Sequence, residues 1–259
     1  MCATCGCSDD GGVRITDSAG TVTLHDHDHE HEHEHGHGHG HGAGTRTVTL
    51  EQSVLARNDG LAERNRAWLT ERGIVAINLM SSPGAGKTTL LERTIRDLGR
   101  DRTIAVVEGD QETRLDGDRI RAAGAAATQV NTGAGCHLDA DMLADALRLL
   151  DPPDRALVLV ENVGNLVCPA LFDLGERGRV VIASVPEGAE KPLKYPHMFR
   201  TADLVLLNKI DLLPYVDFDV DVFTDGARRA NPDVEVLPVS ATRGDGLDGW
   251  YAWLTGGGW

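Results

Sequence analysis

Short apolar runs of strand length recur along most of this chain, separated by stretches with helical spacing. Residues 74–80, 103–107, 156–160, 180–185, 204–207 and 234–239 are each rich in β-branched side chains, and residues 128–130 form a seventh, shorter run. Helices are predicted between them. Residues 88–98 stop at Gly99, residues 138–150 stop at Asp151-Pro152-Pro153, and residues 224–230 stop before Pro232. A polar segment, 51–72, carries Leu55, Leu61, Ala62 and Leu69 at the spacing of a surface helix. Strands alternating with helices predict an α/β fold with a mostly parallel sheet covered on both faces. In such sheets ligands bind beyond the carboxyl ends of the strands.

The first 45 residues break this pattern. They hold three of the five cysteines and nine of the eleven histidines, with few large apolar side chains to offset the entropy of ordering. The expected organisation is a flexible metal-binding tail, 1–45, followed by one domain, 46–259. A formal net charge of −15 opposes binding to nucleic acid or anionic membrane, which requires clustered Lys and Arg. No run approaches the ~20 apolar residues of a membrane span. Nor does Met1-Cys2-Ala3 resemble the start of a secretory signal, so a cytoplasmic location is expected. Thiols stay reduced there, and the odd number of cysteines reads as metal ligands and not as a disulfide framework.

The strand 74–80 runs into Ser81-Ser82-Pro83-Gly84-Ala85-Gly86-Lys87-Thr88-Thr89 and then into a helix, which is the setting of a phosphate-binding P-loop. Backbone N–H groups around Gly84, Ala85 and Gly86 can cradle phosphate oxygens, with Thr89 continuing the turn. Lys87 supplies charge to the β- and γ-phosphates, and the Thr88 hydroxyl is a ligand for Mg²⁺. The first glycine of the usual pattern is replaced by Ser81. At the end of strand 204–207, Asn208-Lys209-Ile210-Asp211 reads the base. The Asp211 carboxylate can accept from guanine N1–H and N2 amine together, whereas adenine would leave it unpaired. Lys209 covers the base face, and Asn208 bridges base and phosphate loop. Ser240 and Ala241, ending the next strand, supply the second guanine-side loop. The nucleotide is therefore GTP or GDP.

Two further strand ends carry carboxylates where Mg²⁺ and γ-phosphate belong: Asp110 in Glu108-Gly109-Asp110, and Glu161 in Glu161-Asn162-Val163-Gly164. Lys87, Asp110 and Glu161 are the candidate catalytic residues. Whether Glu161 meets the metal directly or through water is left open.

Soft ligands occur in three places. Cys2, Cys5 and Cys7 cluster beside the chain's own amine, a donor set that suits Ni²⁺, Cu or Zn²⁺. Histidines follow at every second residue, His25, His27, His29, His31, His33, His35, His37, His39 and His41, first among acidic residues and later among glycines. Such a run offers many weak, exchanging sites, which is storage. Cys136 and His137 open the helix 138–150, and Cys168 follows the Glu161 segment. Either cysteine alone reads equally as a small buried residue, while the three together suggest a site linked to the nucleotide.

With these residues in view, the sequence closely resembles the hydrogenase nickel-incorporation GTPases, the HypB family of SIMIBI-class metallochaperones. The resemblance is carried by the Cys2 to Cys7 cluster, the histidine run, residues 81–89, Glu108-Gly109-Asp110-Gln111, Asn131-Thr132-Gly133 with Gly135-Cys136-His137-Leu138-Asp139-Ala140, residues 161–169, residues 191–197 and residues 208–214. It implies a tight nickel site at Cys2, Cys5 and Cys7, and a weaker nickel or zinc site at Cys136, His137 and Cys168. It also implies a nucleotide-linked homodimer, slow regulatory GTP hydrolysis, and a HypA-type nickel and zinc partner. The implied recipient is the [NiFe]-hydrogenase large-subunit precursor. Three rivals remain: an accessory GTPase for another nickel or cobalt enzyme such as urease, a nickel store with a vestigial nucleotide pocket, and a P-loop kinase.

Overall fold

A computed structural model describes residues 13–16, 22–25, 43–110, 115–133 and 135–256. Nine strands form one sheet in the order β2-β1-β5-β4-β6-β3-β7-β8-β9. Its parallel part consists of β3 (Val75–Ser81), β4 (Ile104–Asp110), β5 (Ala126–Asn131), β6 (Leu157–Glu161), β7 (Gly178–Ser184), β8 (Leu204–Asn208) and β9 (Glu235–Pro238). All seven predicted runs are strands, with ends displaced by one to three residues. The first of them, β3, sits in the middle of the parallel part, between β6 and β7.

Side-chain alternation sorts this sheet into two packed faces. Ile77 and Leu79 point to one face with Val106, Leu159 and Ile182, and meet Leu90, Leu91 and Ile95 of α2 (Lys87–Leu98) and Trp250 of α8 (Leu247–Thr255). The Trp250 indole is fully buried and donates to Thr94 Oγ1 at 2.9 Å. On the opposite face Ala76, Val107, Val130, Val158 and Val160 pack on α1 (Ala43–Glu71) and α4 (Ala140–Leu150). Further along that face Val181, Val205 and Leu207 pack on α6 (Pro196–Arg200) and α7 (Val220–Ala230). α3 (Leu115–Ala123) packs beside α2 on the first face through Ile120, and the single turn α5 (Lys191–Lys194) lies against α6 and α7.

Three groups of elements differ from the sequence expectation. Helix α1 is longer than 51–72 and begins before the expected boundary at 46. Its buried stripe is Asn58, Ala62, Asn65 and Leu69, so half of the stripe is polar and hydropathy alone does not find it. The asparagines are satisfied by backbone: Asn65 Nδ2 donates to the Ala140 and Leu174 carbonyls at 2.7 and 2.9 Å, and Asn58 Oδ1 accepts from Ala140 N at 3.0 Å. Second, β1 (Val13–Thr16) and β2 (Val22–His25) form a hairpin inside the stretch assigned to the tail, and β1 pairs antiparallel with β5. Each is only four residues long, too short for its alternation to stand out. Third, α3, α5, α6 and α8 were not predicted; charged and small residues interrupt the apolar spacing of α3, whereas Leu247, Trp250 and Leu254 give α8 a helical spacing that the sequence already carried. Among the described residues no helix is long and apolar enough to cross a membrane.

Candidate nucleotide and metal site

The carboxyl ends of β3, β4, β6 and β8 converge on a cleft of about 510 Å³, lined by Gly84, Gly86, Lys87, Thr88, Thr89, Glu108, Asp110, Glu161 and Lys209 among others. The turn from β3 into α2 closes tightly. Gly86 has φ 101°, and a Cβ there would lie 2.6 Å from Asn208 Nδ2, so both backbone and space demand glycine. Lys87 begins α2 and donates to Ser81 Oγ at 2.7 Å. The serine that replaces the usual glycine therefore holds the phosphate-binding lysine. Lys87 is buried, and desolvation lowers its pKa against the opposing pull of Glu161.

The base-reading segment is tied to that loop. Asn208 Nδ2 donates to the Ala85 carbonyl at 2.9 Å, and Asn208 Oδ1 accepts from Ala241 N at 3.1 Å. Lys209, at φ 62°, turns its ammonium onto the Gly84 carbonyl at 2.7 Å. Ser240 Oγ donates to Asp211 Oδ1 at 2.6 Å, fixing one carboxylate oxygen and leaving the group aimed by a neutral donor. The sequence-predicted base-reading residues Asn208, Lys209, Asp211, Ser240 and Ala241 are thus tied to one another and to the loop at Gly84 and Ala85.

Two buried carboxylates face Lys87 and Thr88. Thr88 Oγ1 donates to Glu161 Oε1 at 2.9 Å, while Glu161 Oε2 and Glu108 Oε2 have no hydrogen-bond partner. Burial raises the Glu108 pKa to about 9, helped by the Glu161 and Asp110 charges; burial also raises Glu161 to about 7, opposed by Lys87. Partnerless oxygens on hard anionic ligands fit Mg²⁺. The sequence reading put Thr88, Asp110 and Glu161 around that ion. Asp110 lines the cleft, and Glu108 joins it, its burial legible only once β4 is placed in the sheet centre. Asp116 and Arg119 of α3 also line the cleft, and sequence reasoning missed them because α3 itself was missed.

The Glu161 segment then crosses to a second cluster. A Cβ on Gly164 would lie 3.1 Å from Pro83, so this segment lies directly on the phosphate loop. Asn162 Oδ1 accepts from Leu138 N at 3.1 Å, next to His137. Cys136 Sγ lies 2.8 Å from Cys168 Sγ and 3.6 Å from His137 Nδ1, and the three ligand atoms all fall within 4.8 Å of one another. Burial lowers the His137 pKa, which keeps the imidazole neutral and able to ligate, and its ring stacks on Phe172 at 3.9 Å. Two thiols and one imidazole in this geometry suit a soft or borderline cation such as Ni²⁺ or Zn²⁺. Cys2, Cys5, Cys7, His27, His29, His31, His33, His35, His37, His39 and His41 lie outside the described residues, and His25 ends β2.

Residues 75–238 match the family described as CobW/HypB/UreG, nucleotide-binding domain. The chain is 56% identical to the hydrogenase maturation factor HypB of Azotobacter vinelandii over 209 residues, 81% of this chain and 69% of that protein. Among solved structures it is similar to the hydrogenase maturation factor HypB of Archaeoglobus fulgidus, with a TM-score of 0.73 and 42% identity over 78% of this chain and 98% of that one. The HypB of Helicobacter pylori, solved in complex with nickel, gives a TM-score of 0.71 and 38% identity over 76% of this chain and 93% of that one.

Proposed function

Because the chain belongs to the HypB branch of the CobW/HypB/UreG nucleotide-binding family, we propose that it is a GTP-hydrolysing nickel metallochaperone serving [NiFe]-hydrogenase maturation. One observation carries this reading. Glu161 touches the phosphate loop through Thr88, its neighbour Asn162 holds the backbone beside Cys136-His137, and the same segment continues to Cys168. Nucleotide and metal ligands therefore share one stretch of chain.

In this mechanism the P-loop amides and Lys87 bind the β- and γ-phosphates, and Asn208, Asp211 and Ala241 orient guanine. Thr88, Glu161, Glu108 and Asp110 would hold Mg²⁺, which supplies neutralisation of phosphate charge when bound. The Thr88 to Glu161 hydrogen bond ties the phosphate loop to the Glu161-Asn162 segment, and a shift of that segment on nucleotide binding would move Cys168 relative to Cys136 and His137. Nickel affinity then depends on the nucleotide, and by linkage metal alters nucleotide affinity equally. Hydrolysis is slow and serves as a switch. Cys2, Cys5 and Cys7 form the tight nickel site, the histidine run stores the metal, and Zn²⁺ competes at the internal site. The nucleotide-bound form is a homodimer that exchanges nickel with a HypA-type partner and delivers it to the hydrogenase large-subunit precursor in the cytoplasm.

The test is nickel affinity of a Cys2, Cys5, Cys7 triple-alanine variant, measured with GDP and with a non-hydrolysable GTP analogue. A several-fold difference supports the switch. Equal affinities overturn it.

A further inference from the structure

One polar residue interrupts the apolar run of β3: Asn78, flanked by Ile77 and Leu79 and fully buried. A buried amide needs partners for both its oxygen and its nitrogen, and Asn78 finds them in two other buried side chains. Its Oδ1 accepts from Asn162 Nδ2 at 3.2 Å, and its Nδ2 donates to Glu176 Oε1 at 3.2 Å. The direction of these bonds is fixed at both ends. Asn162 Oδ1 accepts from the backbone N–H groups of Leu138 and Val163 at 3.1 and 2.9 Å, so its amide nitrogen faces Asn78. At the other end Glu176 accepts from Leu174 N and from Arg179 Nε, both at 2.7 Å, so its carboxylate takes a third donor from Asn78. Leu174 lies two residues beyond Phe172, whose ring stacks on His137. The contacts therefore close a ring. From Leu138, next to His137, it runs through Asn162, Asn78 and Glu176 to Leu174, and returns by Phe172 to His137. One arm of the ring carries Cys136 and His137, and the other, residues 168–174, carries Cys168.

We infer that Asn78 is a positioning residue for the Cys136, His137 and Cys168 cluster, coupling both ligand-bearing arms to the Glu161-Asn162 segment. The inference rests on the proposed reading of that cluster as a nickel site whose affinity follows the nucleotide. Asn162 directly follows Glu161, which accepts from Thr88 beside the phosphate loop. The planar Asn162 amide holds Leu138 N by its oxygen and Asn78 by its nitrogen, so turning it loosens both bonds together. Asn78 passes that change to Glu176, and so to the backbone at Leu174. The Cys168 arm is thus held at its near end by chain continuity with Glu161 and at its far end through Asn78. With Asn78 removed, the far end rests on α1 instead, where Asn65 Nδ2 holds the Leu174 carbonyl and Asn58 Nδ2 holds the Asp173 carbonyl at 2.8 Å. Leucine at this position has neither donor nor acceptor, and aspartate sets a second carboxylate against Glu176.

The test uses the full chain with Cys2, Cys5 and Cys7 replaced by alanine, titrated with Ni²⁺ and followed by thiolate-to-nickel charge-transfer absorption, which the histidine run does not give. In Asn78→Leu, Ni²⁺ affinity is expected to fall about tenfold or more, the range for groups that orient metal ligands from behind. It is also expected to become equal with GDP and with a non-hydrolysable GTP analogue. GDP affinity in EDTA should stay within about twofold, since Asn78 does not line the cleft. Asn78→Asp should behave alike, and adding Glu176→Gln should restore both the affinity and its nucleotide dependence. The new carboxylate then accepts from Asn162 and from the glutamine amide, whose oxygen still accepts from Leu174 N, while Arg179 keeps Asp173 at 3.7 Å. Should Asn78→Leu fail to fold, as judged by GDP binding, Asn78→Ser, too short to reach both partners, carries the same expectation. Unchanged nucleotide dependence, or a lower melting temperature with nickel affinity intact, would overturn the inference and leave Asn78 a structural tie. So would a folded Asn78→Asp/Glu176→Gln chain that recovers neither property. Failure of the underlying reading shows earlier, as equal nickel affinities with the two nucleotides in the parent triple-alanine chain, and the inference falls with it.

Discussion

Thr88 Oγ1 donates a 2.9 Å hydrogen bond to Glu161 Oε1, joining the first turn of α2 to the end of β6. The hydroxyl gives its proton to Glu161 and keeps its lone pairs, so in the proposed reading Thr88 and Glu161 would serve one Mg²⁺ site together. Replacing Glu161 by Gln keeps a hydrogen-bond acceptor for Thr88 and removes the anionic ligand. GTP hydrolysis in Glu161→Gln should fall roughly 100-fold, in line with the loss of one transition-state electrostatic contact. GDP binding in EDTA should stay within about twofold. Hydrolysis at the wild-type rate would remove Glu161 from the site.

Glu161 and Glu108, its partner across the β4–β6 ladder, set a pH dependence for the metal-free, nucleotide-free protein. The native carboxyls of Glu108 and Glu161 hold their protons up to about 9 and about 7, whereas the unfolded chain ionises them near 4.5, the ordinary carboxyl value. Between those limits the native state binds more protons, so unfolding free energy falls as pH rises, by at most ~1.4 kcal/mol per unit for each group. Melting temperatures recorded in EDTA should decline from pH 5 to pH 9. Mg²⁺ with GDP should flatten that slope. A melting temperature that climbs across the window contradicts the assignment.

Asp211 accepts from Ser240, and in the proposed reading its carboxylate meets the base edge. In Asp211→Asn the side chain gains an amide donor, which repels the guanine N2 amine and matches a carbonyl at that position. GTP affinity should drop by about 100-fold or more, and xanthosine triphosphate should become the preferred ligand. Competition titrations with a fluorescent nucleotide measure both. Retained preference for GTP would place base recognition elsewhere.

In the proposed reading Cys168 is the ligand that joins the internal cluster to the Glu161 segment. In a chain already lacking Cys2, Cys5 and Cys7, Cys168→Ser should lower Ni²⁺ affinity by roughly tenfold or more and abolish its dependence on nucleotide, because a hard hydroxyl replaces a soft thiolate. GTP hydrolysis without added metal other than Mg²⁺ should be unaffected. Nickel titrations that keep their nucleotide dependence would assign the coupling to Cys136 and His137 alone.

Much of this protein is written locally. Most of the parallel strands are apolar, β-branched runs buried on both faces, with β9 at the sheet edge half-exposed, and the P-loop and Asn208 to Asp211 are contiguous strings whose chemistry is complete within a few residues. Cys136, His137 and Cys168 were legible as ligand types, but 31 residues separate His137 from Cys168 and only the crossing of the Glu161 segment brings them together. Polar burial stayed hidden: Asn58 and Asn65 look solvent-facing until the Ala140 and Leu174 backbone is placed against them. Glu108 looked like one carboxylate of a strand end until β4 was flanked on both sides and its oxygen left without a partner. The four-residue β1 has too little alternation to announce itself, and its burial comes from Val130 and Leu138 more than a hundred residues away. The sequence by itself determined the nucleotide, the ligand types and the α/β order, since these depend on neighbours along the chain. The tertiary structure alone decided which carboxylates are buried, which thiols meet, and which end of the sheet the N-terminal strand faces, because desolvation and ligand geometry depend on neighbours in space.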